Sequence, residues 1–505
     1  MELEKALYEH FGYRSFRPGQ EEVIQSVLSN ENVLAMLPTG TGKSICFQLP
    51  ALLLPGTAIV VSPLLSLMED QVQQLKSQGI KKVAAINSFL TIYERRKVIE
   101  ELDSYDIVYI SPESLMSEKV IEALSSISVS LFVIDEAHCI SQWGHDFRTD
   151  YLKLGELWEQ LGQPTCLAIT ATATKEVQKD IIKQLRLQHV TSHIFSVHRP
   201  NIALQIEKYD DVDEKLSELL NWVKILKGPG LIYVSSRIWA ENIAARLQNE
   251  GINKVAFYHG GLENDDRLLI QQQFINDQLD IICCTNAFGM GINKNNVRFV
   301  IHFHFPQHME AYLQEIGRAG RDGKNSLALL LYCENDRHLP LSLIESELPH
   351  ARQLYAVKNY LEMLESSGLL FTSNDVIQIQ AQIGLTEGAW RFLYFHLERH
   401  SVINNGNIDK PALLHAMKFI EHLIEVRLNE KVQKVEGMID YINSDSCRRI
   451  HYLSYFEEKL HDKPEHCCDH CGLSLESYRI SEKKQSKNQT EFLPWQDELK
   501  QIFHQ

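Results

Sequence analysis

The chain has 505 residues, with 44% hydrophobic and 23% charged side chains, and its 50 basic against 66 acidic residues give a net charge of −16. That composition is that of a globular protein with ample core and room for about three domains. It excludes a bilayer span, since no apolar run approaches ~18 residues. The opening Met-Glu-Leu-Glu-Lys has neither a basic flank nor an apolar stretch, so a secretory leader and a membrane partner are not expected and the chain reads as cytoplasmic. The acidic excess argues mildly against nucleic acid, although a cleft can be basic while the outer faces are acidic.

From about residue 20 to 200, short β-branched runs alternate with helical patterns. Residues 32–37, 57–61, 107–110, 131–134 and 165–169 are predicted to be buried parallel strands. A second alternation runs through 230–234, 254–258, 280–284, 299–303 and 327–332. The predicted class is therefore α/β, with two tandem parallel-sheet lobes over 1–200 and 208–340. His198–Asn201 and the polar stretch after it would link them.

Beyond residue 340 the strand signals thin out, and 350–367 and 411–443 are predicted helices. Residues 375–383, a turn at 384–388 and 389–402 resemble a helix-turn-helix, with 404–407 as a hairpin tip. A winged-helix-like insertion over 345–408 is one reading, and a helical connector is the other. A helical module over 409–475 follows, then a polar linker and short amphipathic tail over 476–505. No solenoid-type repeat is present.

The chemistry begins after the first strand, with Thr39, Gly40, Thr41, Gly42, Lys43 and Ser44. Glycines let backbone N–H groups close round phosphate oxygens, and the helix that follows favours negative charge at its start. Lys43 would contact the β- and γ-phosphates of ATP, and the Ser44 hydroxyl would ligate Mg2+. Leu37 stands where the strict pattern has glycine, which excludes a GTPase-type loop and suits the shorter form of helicase-like motors. Upstream, Tyr13, Arg17 and Gln20 join an aromatic, a guanidinium and an amide suited to adenine. The alternative is an ordinary helix start.

The apolar run 131–134 ends in Asp135 and Glu136, one carboxylate to hold Mg2+ and one to orient the attacking water. In the second lobe, Arg318 and Arg321 are three residues apart, on one helical face, and could reach the γ-phosphate across a cleft. After the carboxylates, Trp143 and Phe147 offer stacking faces beside His145 and Arg148. Stacking of a base on an aromatic is worth roughly 1–3 kcal/mol and tolerates any sequence.

Together these strings resemble the RecQ family of superfamily-two DNA helicases. The likeness rests on F-G-Y-R-S-F-R-P-G-Q at 11–20, L-P-T-G-T-G-K-S at 37–44, V-S-P-L-L-S-L-M-E-D-Q at 61–71 and D-E-A-H-C-I-S-Q-W-G-H-D-F-R at 135–148. It continues with T-A-T-A at 170–173, Y-H-G-G-L at 258–262, T-N-A-F-G-M-G-I-N-K at 285–294 and E-I-G-R-A-G-R-D-G at 315–323. The resemblance implies RecA-like lobes and ATP-driven 3′-to-5′ unwinding of DNA, with single-stranded and partly duplex DNA as partners, in repair and recombination. It also implies that His138, Trp143, His145, Phe147 and Arg148 couple DNA binding to hydrolysis. An RNA helicase shares the motor and is the rival enzyme reading; a non-unwinding ATP switch is the rival of another class.

Six cysteines are scattered through apolar segments and read as small hydrophobes. Cys447, Cys467, Cys468 and Cys471 cluster, which in a cytosolic chain favours a metal over disulfides. The family resemblance implies Zn2+ there, its first ligand opening the string Cys447-Arg448-Arg449. The doublet Cys467-Cys468 departs from the family spacing, so a strained backbone, or His466 or His470 as a substitute ligand, is expected. Many relatives continue after this site with a winged helix and a helical nucleic-acid-binding domain (the HRDC domain), and the roughly thirty residues that follow here are too few for either. This implies a short form, in which 345–408, with Arg391 and Arg399 on one face, would serve as a relocated duplex-binding element.

Overall fold

The computed structural model describes residues 2–141, 148–289 and 294–480, without the side chains of Ser66, Thr149 and Ser346. The first lobe is a seven-stranded sheet: β1 (Asn32–Met36), β2 (Thr57–Val61), β3 (Val83–Ile86), β4 (Ile107–Ile110), β5 (Val129–Asp135), β6 (Thr165–Thr170) and β7 (Val190–Ile194). All neighbours are parallel, in the order β3-β4-β2-β5-β6-β1-β7. Apolar layers cover both faces, so the inner strands are continuous β-branched runs rather than alternating ones.

Register sets up the site. Met36 is level with Thr170, and Ile169 is level with Asp135, so β1 and β5 end at the same edge with β6 between them. Two inter-strand steps separate them by roughly 10 Å. That is the crevice at the carboxyl ends of a parallel sheet where ligands bind.

The second sheet holds β8 (Ile202–Lys208), β9 (Gly230–Tyr233), β10 (Val255–Tyr258), β11 (Ile281–Cys284), β12 (Phe299–His302) and β13 (Ser326–Tyr332). Its order is β10-β11-β9-β12-β13-β8, again parallel throughout. β8 occupies the stretch expected to be linker, so the second sheet starts at Ile202 and the crossing between lobes is shorter than expected. Lys215, fully buried, holds this lobe's core with a charge-assisted pair to Asp336 at 2.7 Å and a bond to the Phe303 carbonyl at 2.8 Å.

Helices Ala351–Ser366, Ser373–Ile383 and Glu387–Arg399 precede a two-stranded hairpin, β14 (Ile403–Asn404) and β15 (Asn407–Ile408). Asn405 and Gly406, at φ 50° and 81°, form the turn of the tip, so helix-turn-helix and hairpin both stand as predicted. The residues singled out for a duplex-binding face make contacts within the chain. Arg391 pairs with Glu387 and with Glu113 of the first lobe at 3.8 Å, Glu398 pairs with Lys153 at 3.6 Å, and Arg399 lies over the Phe395 ring. The helix expected to read duplex is docked on the segment Thr149–Lys153.

Lys410–Asn443 is one 34-residue helix shared by two units. Leu413, Ala416, Ile420 and Ile424 pack in the helix-turn-helix core, whereas Val435, Met438, Tyr441 and Ile442 join the core of the lobes. A boundary at 408/409 therefore cuts beside an element that both sides need. At its C-terminal end Arg448 donates to the carbonyls of Tyr441, Ile442 and Ser444 and to both carboxylate oxygens of Asp469. Removing one partner of such a buried pair costs about 3–5 kcal/mol. Arg448→Ala should therefore lower the unfolding midpoint of this region in a thermal melt followed by amide exchange; unchanged exchange across 438–471 would show that Arg448 does not hold the helix end.

Candidate nucleotide and zinc sites

Between β1 and the helix Ile45–Leu53 the chain turns through Gly40 and Gly42 at φ 90° and 78°, where a side chain would be strained. The loop is braced from outside. Arg17 donates to the Gly40 carbonyl at 2.6 Å, and the Gln20 amide donates to those of Thr41 and Gly42 at 2.9 Å each. Gln20 is buried and also accepts from the Arg17 backbone N–H at 2.9 Å. Its amide group is thus engaged with the loop instead of being free to read an adenine edge. Tyr13 is half-exposed.

Across the crevice, Glu136 adopts φ 48°, the left-handed region, which turns its side chain back under the loop. Lys43 Nζ lies 3.9 Å from its carboxylate. Glu136 Oε2 is buried and makes no hydrogen bond among the described residues. Burial pushes the Asp135 carboxyl up to about 7, with the Glu136 charge acting the same way and Lys43 opposing. Two crowded carboxylates with one lysine beside them fit a divalent cation, because a hard cation and oxygen ligands relieve that repulsion.

His138 bonds the Thr170 hydroxyl at 2.8 Å, with Glu136 at 3.4 Å, and burial holds it uncharged, down to about 3. The turn Ala137–Ile140 then leads into the coupling segment. Its base is closed by the Arg148 N–H bonding the Cys139 carbonyl at 3.0 Å, and the Arg148 guanidinium donates to the Pro63 carbonyl at 2.9 Å. Trp143, His145 and Phe147 lie outside the described residues.

The second lobe brings up Arg318, Arg321 and a residue the sequence reading passed over, Arg199. Arg321 packs against the phosphate loop: its Cγ is 2.9 Å from where a Cβ on Gly40 would stand. Burial, then Arg318 and Arg199, lower the Arg321 guanidinium to about 9. Arg318 is buried and donates to the Gly289 carbonyl. Three guanidinia beside a phosphate loop are suited to a polyanion. The described structure therefore brings Lys43 and Glu136 together and sets Arg321 and Arg199 against Gly40, with Arg318 close enough to act on Arg321.

The DEAD/DEAH box helicase model matches residues 17–181, the helicase conserved C-terminal domain 211–323 and the RecQ zinc-binding domain 415–472. The chain is 45% identical over 503 residues to the probable ATP-dependent DNA helicase RecS of Bacillus subtilis, covering 99% of this chain and 98% of that protein. It belongs to the RecQ family of ATP-dependent DNA helicases. The RecQ helicase of Haemophilus influenzae is 36% identical over 500 residues, 98% of this chain and 74% of that one. Among solved structures, the DEAD-box helicase Mss116 bound to single-stranded RNA superposes with a TM-score of 0.57 at 18% identity, over 85% of this chain and 90% of that one. At that identity the likeness carries the fold alone. No described helix is long and apolar enough to cross a membrane.

The RecQ zinc-binding match ends on the cysteine cluster. The sulfurs of Cys447, Cys467, Cys468 and Cys471 all lie within 4.8 Å of one another, with 3.6 Å from Cys447 to Cys467 and 3.9 Å to Cys468. Tetrahedral zinc with Zn–S of ~2.3 Å needs sulfurs about 3.8 Å apart, so four thiolates fit. Neither cysteine of the doublet has positive φ, and Cys468 is fully extended at φ −162°. The expected strain is absent because the doublet runs as a short parallel bridge beside β8, with Leu204 opposite Cys468. His466 packs on Tyr478 and His470 is outside the cluster, so neither replaces a cysteine. The other six cysteines are buried, as predicted. Purified protein should carry close to equimolar zinc, and Cys468→Ser should lose most of it with a lowered melting temperature; a metal-free protein whose melting is indifferent to chelator would overturn this assignment.

Proposed function

We propose that the chain couples ATP hydrolysis to 3′-to-5′ translocation on single-stranded DNA and to duplex unwinding, serving repair and recombination. Membership of the RecQ family supports the reaction. The observation that carries the mechanism is that the phosphate loop and the carboxylates sit on one lobe while Arg318 and Arg321 come from the other. A site divided in this way is complete only when the lobes close, so ATP favours closure and hydrolysis releases it.

In this reading Lys43 binds the β- and γ-phosphates, and Ser44 and Asp135 would hold Mg2+. When bound, Mg2+ neutralises charge developing on the phosphates. Glu136 accepts a hydrogen bond from the attacking water and aligns it, a role suited to its buried Oε2. Arg318 and Arg321 stabilise charge on the transferred group, a contribution of roughly 10³–10⁵ in rate where it has been measured in other NTPases. Tyr13 and Arg17 take the adenine face, and Gln20 reaches its edge by exchanging the loop carbonyls it now holds.

DNA occupancy reaches the chemistry through the segment that starts at His138. The turn Ala137–Ile140 follows Glu136 directly, and Arg148 clamps its far end to Pro63. Bases stacked on Trp143 and Phe147 would therefore bias the position of Glu136.

A duplex with a single-stranded 3′ tail should be unwound in the presence of ATP, and the same duplex with a 5′ tail should not. Glu136→Gln should abolish turnover while retaining ATP binding. Unwinding from the 5′ tail alone would reverse the polarity, and turnover stimulated by RNA in preference to DNA would move the chain to the RNA-helicase reading.

A further inference from the structure

Arg199 lies at the crossing between the lobes, and its guanidinium touches both. It donates to the Thr39 carbonyl of the phosphate loop at 2.6 Å and to three carbonyls of the arginine segment: Gly317 at 3.1 Å, Ala319 at 3.0 Å and Gly320 at 2.9 Å. A planar fork with five donors can span four acceptors at once, and an ammonium cannot. All four acceptors are main-chain oxygens, so the contact fixes backbone against backbone.

Arg199 is itself held. Arg449, 1% exposed, donates to the Arg199 carbonyl at 2.9 Å, to the Ile202 carbonyl at 2.6 Å and to the Cys467 carbonyl at 3.4 Å. It thereby grips the crossing on both sides of Pro200 and one zinc-cluster cysteine with the same side chain. The module also touches the crossing through Glu458, which bonds Ser196, and the first lobe through Glu457, 2.6 Å from Lys175. A continuous path thus runs from the zinc cluster through Arg449 and Arg199 to the phosphate loop and Arg318.

We propose that Arg199 is a positioning residue for ATP hydrolysis, a latch that seats the segment 317–321 against the phosphate loop, and that Arg449 sets this latch from the zinc module. Order in the zinc module is then a condition for a competent ATP site, although no module residue reaches the phosphates. The inference rests on the proposed ATPase reading for its consequence and on the hydrogen bonds alone for its geometry.

The test uses the full chain carrying Arg199→Lys, Arg449→Lys, and both. Three quantities are measured for each: DNA-stimulated kcat and KM for ATP, affinity for a non-hydrolysable ATP analogue, and amide exchange over 36–44 and 316–323. Zinc content and melting temperature identify any variant that has lost its fold. Misplacement of a reacting group by about 1 Å can cost 10²-fold, so Arg199→Lys should lower kcat roughly 10- to 100-fold. Analogue affinity should change little, and exchange should quicken in both segments. Arg449→Lys, with zinc retained, should act in the same direction, and the double variant should be no worse than Arg199→Lys alone because both act through one contact.

Weakened analogue binding with kcat retained would make Arg199 a phosphate ligand and overturn the latch. So would multiplicative losses in the double variant, or unchanged exchange in Arg199→Lys. If the unsubstituted protein shows no ATPase activity, the functional reading fails by itself, and exchange still decides whether the latch exists.

Discussion

The two lobes meet through positive charge packed onto a phosphate loop. Arg199 and Arg321 crowd toward Gly40, with Arg318 adding its charge to Arg321, and burial lowers Arg199 to about 10 and Arg321 to about 9. Cations brought so close are stable only where a protein supplies many acceptors or a ligand supplies negative charge. Arg199 takes the first course, with four carbonyls, and Arg318 donates to the Gly289 carbonyl. On the other wall Asp135 and Glu136 present the complementary problem, two carboxylates with one lysine beside them.

The rest of the molecule maintains that geometry. Parallel register places the ends of β1 and β5 on one edge, and the left-handed backbone at Glu136 aims its carboxylate inward. The zinc module acts at a distance. Its cysteine doublet extends the edge of β8, Arg448 closes the end of the shared helix, and Arg449 grips the crossing between lobes. The two arginines after the first cysteine are therefore internal fasteners. The helix-turn-helix unit docks on the first lobe through Glu398 on Lys153 and Arg391 on Glu113.

Much of this was legible in the chain itself. The inner strands are runs such as Thr57–Val61 and Ile107–Ile110, buried on both faces, and such runs have few other readings. The strands that escaped, β3, β7 and β8, are all edge strands. β7, Val-Thr-Ser-His-Ile, is half-exposed, β8 alternates toward Glu207 and Lys208, and β3 is short and alanine-rich. β7 loses its apolar signal through exposure, β8 through the polar residues at its end, and β3 because only four residues, two of them alanine, make it up. At the site, Lys43, Asp135, Glu136, Arg318 and Arg321 were visible because phosphate and metal chemistry demands particular side chains at particular spacing. Arg199 and Arg449 were not, because their partners are main-chain carbonyls, which every residue has and no pattern records. Gln20 was recognised as part of the site, but its bonds to the loop carbonyls required coordinates.

In the proposed mechanism hydrolysis needs a guanidinium delivered from the second lobe, whereas nucleotide binding rests on the first. The most direct measurement compares Arg321→Lys with the unsubstituted protein, in kcat for DNA-stimulated ATP hydrolysis and in affinity for a non-hydrolysable analogue. Arg321→Lys should lose kcat on the order of 10²-fold or more with affinity nearly retained, since the missing contact belongs to the transition state. A variant that hydrolyses ATP at the normal rate would contradict the mechanism, because the second lobe would then be dispensable to the chemistry.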